Sequence, residues 1–363
     1  MRDACLLSSK SPRAAGPGTR YVDGRPDTVV RIWTLVAIGI VAGACGGADA
    51  APDGSSSVAS TGSAAGAGGS SASDAGADAP DTGAGATSAV SYDQDGPIPF
   101  TTEVHSVANG DSSFEVTAYL PMTRGPHPVV SFSCGSTQTA AGYVPYGQRL
   151  ASHGIAMLLS DDPGVGVNTG DIVPNAVYVV ETWLPEAYAG LLDVSRVGVA
   201  GHSRGGGVSL LAAEHGLAGK VVAWFGLDPV DNEFLMAPTQ FARTDLPDIR
   251  IPTGYLGASV ISNCAPAADG YQLLYPLSPS PSVLLVGQGA GHTQFEVPTA
   301  CTACGLCSPS GNADSDTVLA YAVRYFTAFF ARELLGDDKV GAALEGAGAP
   351  ADVAAGLVTV TSK

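Results

Sequence analysis

Basic residues are scarce in this sequence. Seventeen Lys and Arg stand against 34 Asp and Glu among 363 residues, a formal net charge of −17 at pH 7. Binding nucleic acid requires clustered cations that displace phosphate counterions, so no nucleic-acid partner is expected. Acidity of this kind favours solubility and self-repulsion and identifies no substrate. The apolar run at 32–41 is only about ten residues long, too short to cross a bilayer. A dinucleotide fingerprint is lacking, because Gly287-x-Gly289-x-Gly291 is not followed by the opening of a helix. Neither a cofactor nor a metal is expected.

Lys and Arg vanish entirely over 46–91, where almost no large apolar residue remains. A Gly/Ala/Ser/Asp/Thr stretch like this cannot bury enough surface to offset its ordering entropy, so it reads as a disordered tether. Ahead of it, the polar residues 1–31 and the apolar run read as the leader of an exported chain. That leader ends in Val41-Ala42-Gly43-Ala44-Cys45, which resembles a bacterial lipobox, with Ala42 where leucine is usual. Cys45 is therefore the expected lipidation site. Three segments follow: a signal peptide at 1–45, a linker at 46–91 and one folded domain at 92–363. The chain is expected in the cell envelope as a lipoprotein, or secreted, meeting a membrane only through Cys45. A hydrophobic share of 45% supplies ample core for one domain of that size.

Within 92–363 the pattern alternates between short β-rich runs and helical stretches. Residues 103–107 and 114–120 alternate as a hairpin, and 128–133 reads as a buried strand. Helices are expected at 144–153, 173–192, 208–215 and 316–335, with further strands at 155–160, 197–200, 221–226, 251–256 and 283–286. Strands alternating with helices predict an α/β fold with a doubly wound, mostly parallel sheet and an N-terminal antiparallel hairpin. Residues 340–363 carry too little signal to place.

Chemistry concentrates at Val197 to Gly207, read V-G-V-A-G-H-S-R-G-G-G. Gly201-His202-Ser203-Arg204-Gly205 fits G-x-S-x-G, the nucleophile elbow of α/β-hydrolases, with a strand before it and a helix after. Glycines two before and two after the serine relieve the clash that side chains would meet on so tight a turn. The partners should follow in the order acid, then histidine. His105, His127, His153 and His202 precede Ser203, and His215 lies some three turns along the following helix. His292, in a glycine-flexed loop after the 283–286 strand, is left as the base. Glu214, Asp228, Asp231, Glu233, Asp245, Asp248 and Asp269 lie between. Asp228 directly follows the 221–226 strand, and residues 257–263, beyond the next strand, hold no carboxylate. That favours Asp228, with Asp231 the next choice. The Arg204 and Ser136 N–H groups are the expected oxyanion donors, each typically worth about 3 kcal/mol of barrier.

Gly201-His202-Ser203-Arg204-Gly205-Gly206, then Gly226-Leu227-Asp228-Pro229-Val230-Asp231, resembles the chlorophyllase branch of the α/β-hydrolases. Leu150-Ala151-Ser152-His153-Gly154-Ile155 fits the same pattern. The resemblance covers roughly 128–295 and implies that the aspartate of the Asp-Pro-Val motif, Asp228, is the acid. The layout is also similar to cutinase-like polyester hydrolases and lipases, which place the acid one strand later. It implies a serine carboxylic ester hydrolase working through an acyl-enzyme at Ser203, on a small-molecule or lipid ester. A lipase or polyester hydrolase, or a catalytically idle surface-binding domain, are the alternatives.

Four of the seven cysteines, Cys264, Cys301, Cys304 and Cys307, fall in the last third of the chain. Their spacing resembles part of a zinc or iron–sulfur pattern, but Ser308 stands where a ferredoxin has a cysteine before Pro309. In an exported chain, two disulfides are the expectation, Cys264–Cys301 with Cys304–Cys307 preferred. Cys134 reads as a buried structural thiol.

Overall fold

The computed structural model describes residues 92–363, apart from 165, 216, 218, 233–240, 302–303, 339–343 and 345–348. The expected signal peptide, Cys45 and the tether at 46–91 lie outside the described residues. Among the described residues, no helix is long and apolar enough to cross a membrane.

The first two strands, β1 (Phe100–Asn109) and β2 (Ser112–Pro121), form an antiparallel hairpin closed at Asn109↔Ser112, with Gly110 at positive φ in its two-residue turn. Phe114, Val116, Ala118 and Leu120 alternate inward along β2, the period-two signature of a half-buried strand. Seven strands follow: β3 (His127–Ser133), β4 (Ala156–Ser160), β5 (Leu192–His202), β6 (Val221–Leu227), β7 (Thr253–Val260), β8 (Ser282–Gly291) and β9 (Val358–Ser362). The sheet order is β1-β2-β4-β3-β5-β6-β7-β8-β9. Strands β3 to β8 are parallel, and β2 and β9 pair antiparallel at either side of that block. This is the α/β-hydrolase fold.

Helices cover both faces. On one side, α1 (Val144–Ser152) and α6 (Ser315–Phe330) pack an aromatic core against Phe132 and Phe225. On the other lie α2 (Thr169–Tyr178), α3 (Leu184–Ala187), α4 (Arg204–His215) and α5 (Tyr271–Leu277). Trp224 and Phe225, neighbours on β6, serve opposite cores, as a strand buried on both faces requires.

Three local expectations change. The helix expected at 173–192 begins earlier, at Thr169, and ends at Ala187, joined through a wide turn at Val179–Trp183. Gly190, at positive φ, turns the chain so that Leu192 can open β5. Helix α5 was not anticipated. The unplaced tail supplies a short helix, Ala349–Ala354, and the edge strand β9, which pairs with Val283 to Gly287 of β8.

Phe326 anchors the aromatic core, with its ring 5.0–6.1 Å from those of Phe132, Tyr146, Phe225 and Phe330. Phe326→Ala should cost about 3–5 kcal/mol, read as a lower urea midpoint at unchanged m-value. An unchanged midpoint would show that this face of the sheet is not where stability resides.

Candidate active site

Ser203, Asp228 and His292 are each the first residue beyond a strand: β5 ends at His202, β6 at Leu227 and β8 at Gly291. Because these strands are parallel, all three side chains emerge at one edge of the sheet, where α/β proteins bind ligands. His292 Nδ1 donates to Asp228 Oδ2 at 2.7 Å, and Ser203 Oγ donates to His292 Nε2 at 2.9 Å. The second carboxylate oxygen of Asp228 accepts the Ala258 N–H at 2.9 Å. Asp231, the other acid considered, instead binds Arg243 and the Ala242 N–H.

Backbone strain gathers here. Thr137 (φ 65°), Ser203 (φ 54°) and Asp228 (φ 36°) are the non-glycine residues at positive φ among the described residues. Such conformations cost of order 1–3 kcal/mol each and persist where surrounding structure holds them. At Ser203 the hold is direct. Its N–H donates to the Leu227 carbonyl at 3.1 Å, and its carbonyl accepts from Val230 N at 2.9 Å. A Cβ on Gly201 would sit 2.2 Å from the Gly205 carbonyl oxygen, and one on Gly205 would sit 2.0 Å from that of Ser133. Both flanking positions therefore admit only glycine.

The loop after β3 is tied to the elbow by a buried ion pair. Arg204 Nη2 lies 2.6 Å from both carboxylate oxygens of Asp162, and Asp162 Oδ1 also accepts the Thr137 N–H at 2.9 Å. Gly135 N–H donates to the Tyr143 hydroxyl at 3.1 Å. Between these anchors the Ser136 N–H has no hydrogen-bond partner among the described residues, and Arg204 opens α4, where backbone N–H groups point out beyond the helix end. Ser136, Arg204, Ser203 and His292 line one cleft of about 270 Å³.

A second polar network beneath the triad was not legible in the sequence. His202 Nε2 donates to the His292 carbonyl at 3.0 Å, and Tyr143 donates to His202 Nδ1 at 2.8 Å. Burial, with His292 alongside, holds His202 well below the ordinary histidine range, so the ring is neutral. His202 thus links the elbow, the His292 loop and, through Tyr143, the loop after β3. Glu296 sits 3.5 Å from His202 Nδ1, is 2% exposed and lines the cleft. Its Oε2 has no hydrogen-bond partner among the described residues. Tyr146, three residues on from Tyr143, is buried and donates to the Phe295 carbonyl.

The cysteines form two disulfides, but the preferred pairing is corrected: the bonds are Cys264–Cys307 and Cys301–Cys304. The reason is register. Asn263 N donates to the Ser308 carbonyl, Ser308 N to Asn263 Oδ1, and Asn263 Nδ2 to the Leu306 carbonyl, which sets Cys264 opposite Cys307. Cys264–Cys307 ties the loop after β7 to the segment after His292, and its 43-residue separation is worth about 4 kcal/mol on loop entropy. All four cysteines line the cleft. Cys134 is a free, buried thiol whose pKa burial pushes well up, which suits a structural role.

Burial pushes Glu296 from 4.5 up to about 8. The folded chain then holds a proton that the unfolded chain has released, so stability falls as pH rises from about 4.5 to about 8 and levels beyond. Glu296→Gln should abolish this component, making the variant more stable than the parent at pH 9 by on the order of a few kcal/mol, with the advantage shrinking towards pH 5. Denaturant melts across that range check it; parallel curves would refute the buried neutral acid.

No protein-family model matches the chain. It is 28% identical over 131 residues to Cutinase 2 of Thermobifida cellulosilytica, an alignment covering 35% of this chain and 50% of that protein. The chain therefore spans about half the length of the curated relative it matches. The similarity is to a cutinase and does not confirm the chlorophyllase-like branch.

Proposed function

We propose that this chain is a serine hydrolase of carboxylic esters. The observation that carries the reading is the continuous hydrogen-bond chain Ser203–His292–Asp228 at one edge of the parallel sheet, with bonds of 2.9 and 2.7 Å. Ser203 Oγ attacks the ester carbonyl while His292 Nε2 takes its proton, and Asp228 fixes the tautomer and stabilises the imidazolium. The Ser136 and Arg204 N–H groups hold the oxyanion. His292 then protonates the departing alcohol, and water, activated by the same ring, resolves the acyl-enzyme. The Gly226–Asp231 motif supports a chlorophyllase-like lineage for the position of the acid, and the similarity to a cutinase supports ester hydrolysis.

A broad-cleft lipase or polyester hydrolase is the second reading. It rests on the cutinase similarity and on Leu306, which is 62% exposed while lining the cleft. We further propose that residues 1–45 direct export, that Cys45 is lipidated and that 46–91 tether the domain at 92–363.

A panel of p-nitrophenyl esters of rising acyl length, beside a peptide anilide, tests the reading. Turnover of esters but not of the anilide is expected, with Ser203→Ala lowering kcat by roughly four orders of magnitude or more at unchanged melting temperature. Undiminished ester turnover in Ser203→Ala would refute it.

A further inference from the structure

At the end of α4 remote from Ser203, about 18 Å along the helix, three metal-ligating side chains converge. Glu214 and His215 are the last two residues of α4, and Asp245 lies between the short turns Ala242–Thr244 and Leu246–Asp248. His215 Nε2 stands 3.2 Å from Asp245 Oδ2 and 3.9 Å from Glu214 Oε2, and the three ligand atoms all lie within 4.8 Å of one another. Ligands about 2.1 Å from a tetrahedral metal are separated by about 3.4 Å, so small rotations would bring this trio into range.

A second observation points to a cation. The Glu214 side chain is 3% exposed, and both its carboxylate oxygens are buried without a hydrogen-bond partner among the described residues. An unsatisfied buried carboxyl is unfavourable, and Asp245 and Asp231 add further negative charge nearby. Arg243, two residues before Asp245, is engaged by Asp231 and Asp269. His215 and Asp245 are each about half exposed, at 48% and 47%, so an ion from solvent has a path to the buried carboxylate.

We propose that Glu214, His215 and Asp245 form a binding site for a zinc-type divalent cation, separate from the catalytic centre. An imidazole between two carboxylates suits zinc and its neighbours rather than calcium, which prefers an all-oxygen shell. Water completes the coordination. The ion would clamp the end of α4 to the segment leading into β7. Because α4 begins at the elbow, the clamp stabilises the scaffold without touching the reacting atoms.

Zinc titrations of the oxidised, full-length protein and of Glu214→Gln and Asp245→Asn, followed by calorimetry and thermal unfolding, test this. The parent should bind about one Zn²⁺ per chain and melt at higher temperature with Zn²⁺ but not with Ca²⁺. Each variant should bind Zn²⁺ at least tenfold more weakly and lose the thermal shift, while ester turnover without zinc stays at the parent level and reports an intact fold. Equal zinc affinity in parent and variants, a shift with Ca²⁺ alone, or no saturable binding would overturn the site.

Discussion

A serine hydroxyl is a poor nucleophile until a base stands within hydrogen-bond reach, and here the two partners are 89 residues apart in sequence. Their meeting depends on β5, β6 and β8 running parallel and ending at the same edge. Each strand delivers one member of the hydrogen-bonded trio as the first residue beyond the ladder, so small changes in strand register would break the chain of hydrogen bonds. The covering helices and the aromatic core are what hold that edge still.

The site rests on buried polar groups that are almost all satisfied. Asp228 has both carboxylate oxygens filled, Asp162 joins Arg204 to the Thr137 amide, and neutral His202 bridges toward three loops. Low polarity strengthens each of these bonds and raises the cost of leaving any member unpaired. Glu296 Oε2 is one exception. Its proton, retained by burial, keeps a negative charge away from the His202 and His292 rings at neutral pH.

What was readable in the sequence was local or ordinal. Glycines around Ser203 announce a turn that only they can make, chain order singles out His292, and the lack of a carboxylate at 257–263 turns attention to Asp228. These three are the residues joined by hydrogen bonds in the structure. The disulfide pairing was not readable, because it depends on how Asn263 meets Leu306 and Ser308 across a gap of more than forty residues. Tyr143 and Glu296 follow no period or motif, and His202 fills a variable position of G-x-S-x-G; only their shared burial makes them a network. Strand β9 is five residues with one buried side chain, too brief for alternation to stand out, and the early end of α3 turns on the single Gly190.

The most direct measurement of the central claim is covalent. A fluorophosphonate probe reacts only with a serine that an adjacent base has activated, and the modified peptide can be read by mass spectrometry. The account predicts one probe per folded chain, on Ser203, with labelling lost in His292→Ala. A folded protein that stays unlabelled, or that carries the probe on another residue, would contradict it.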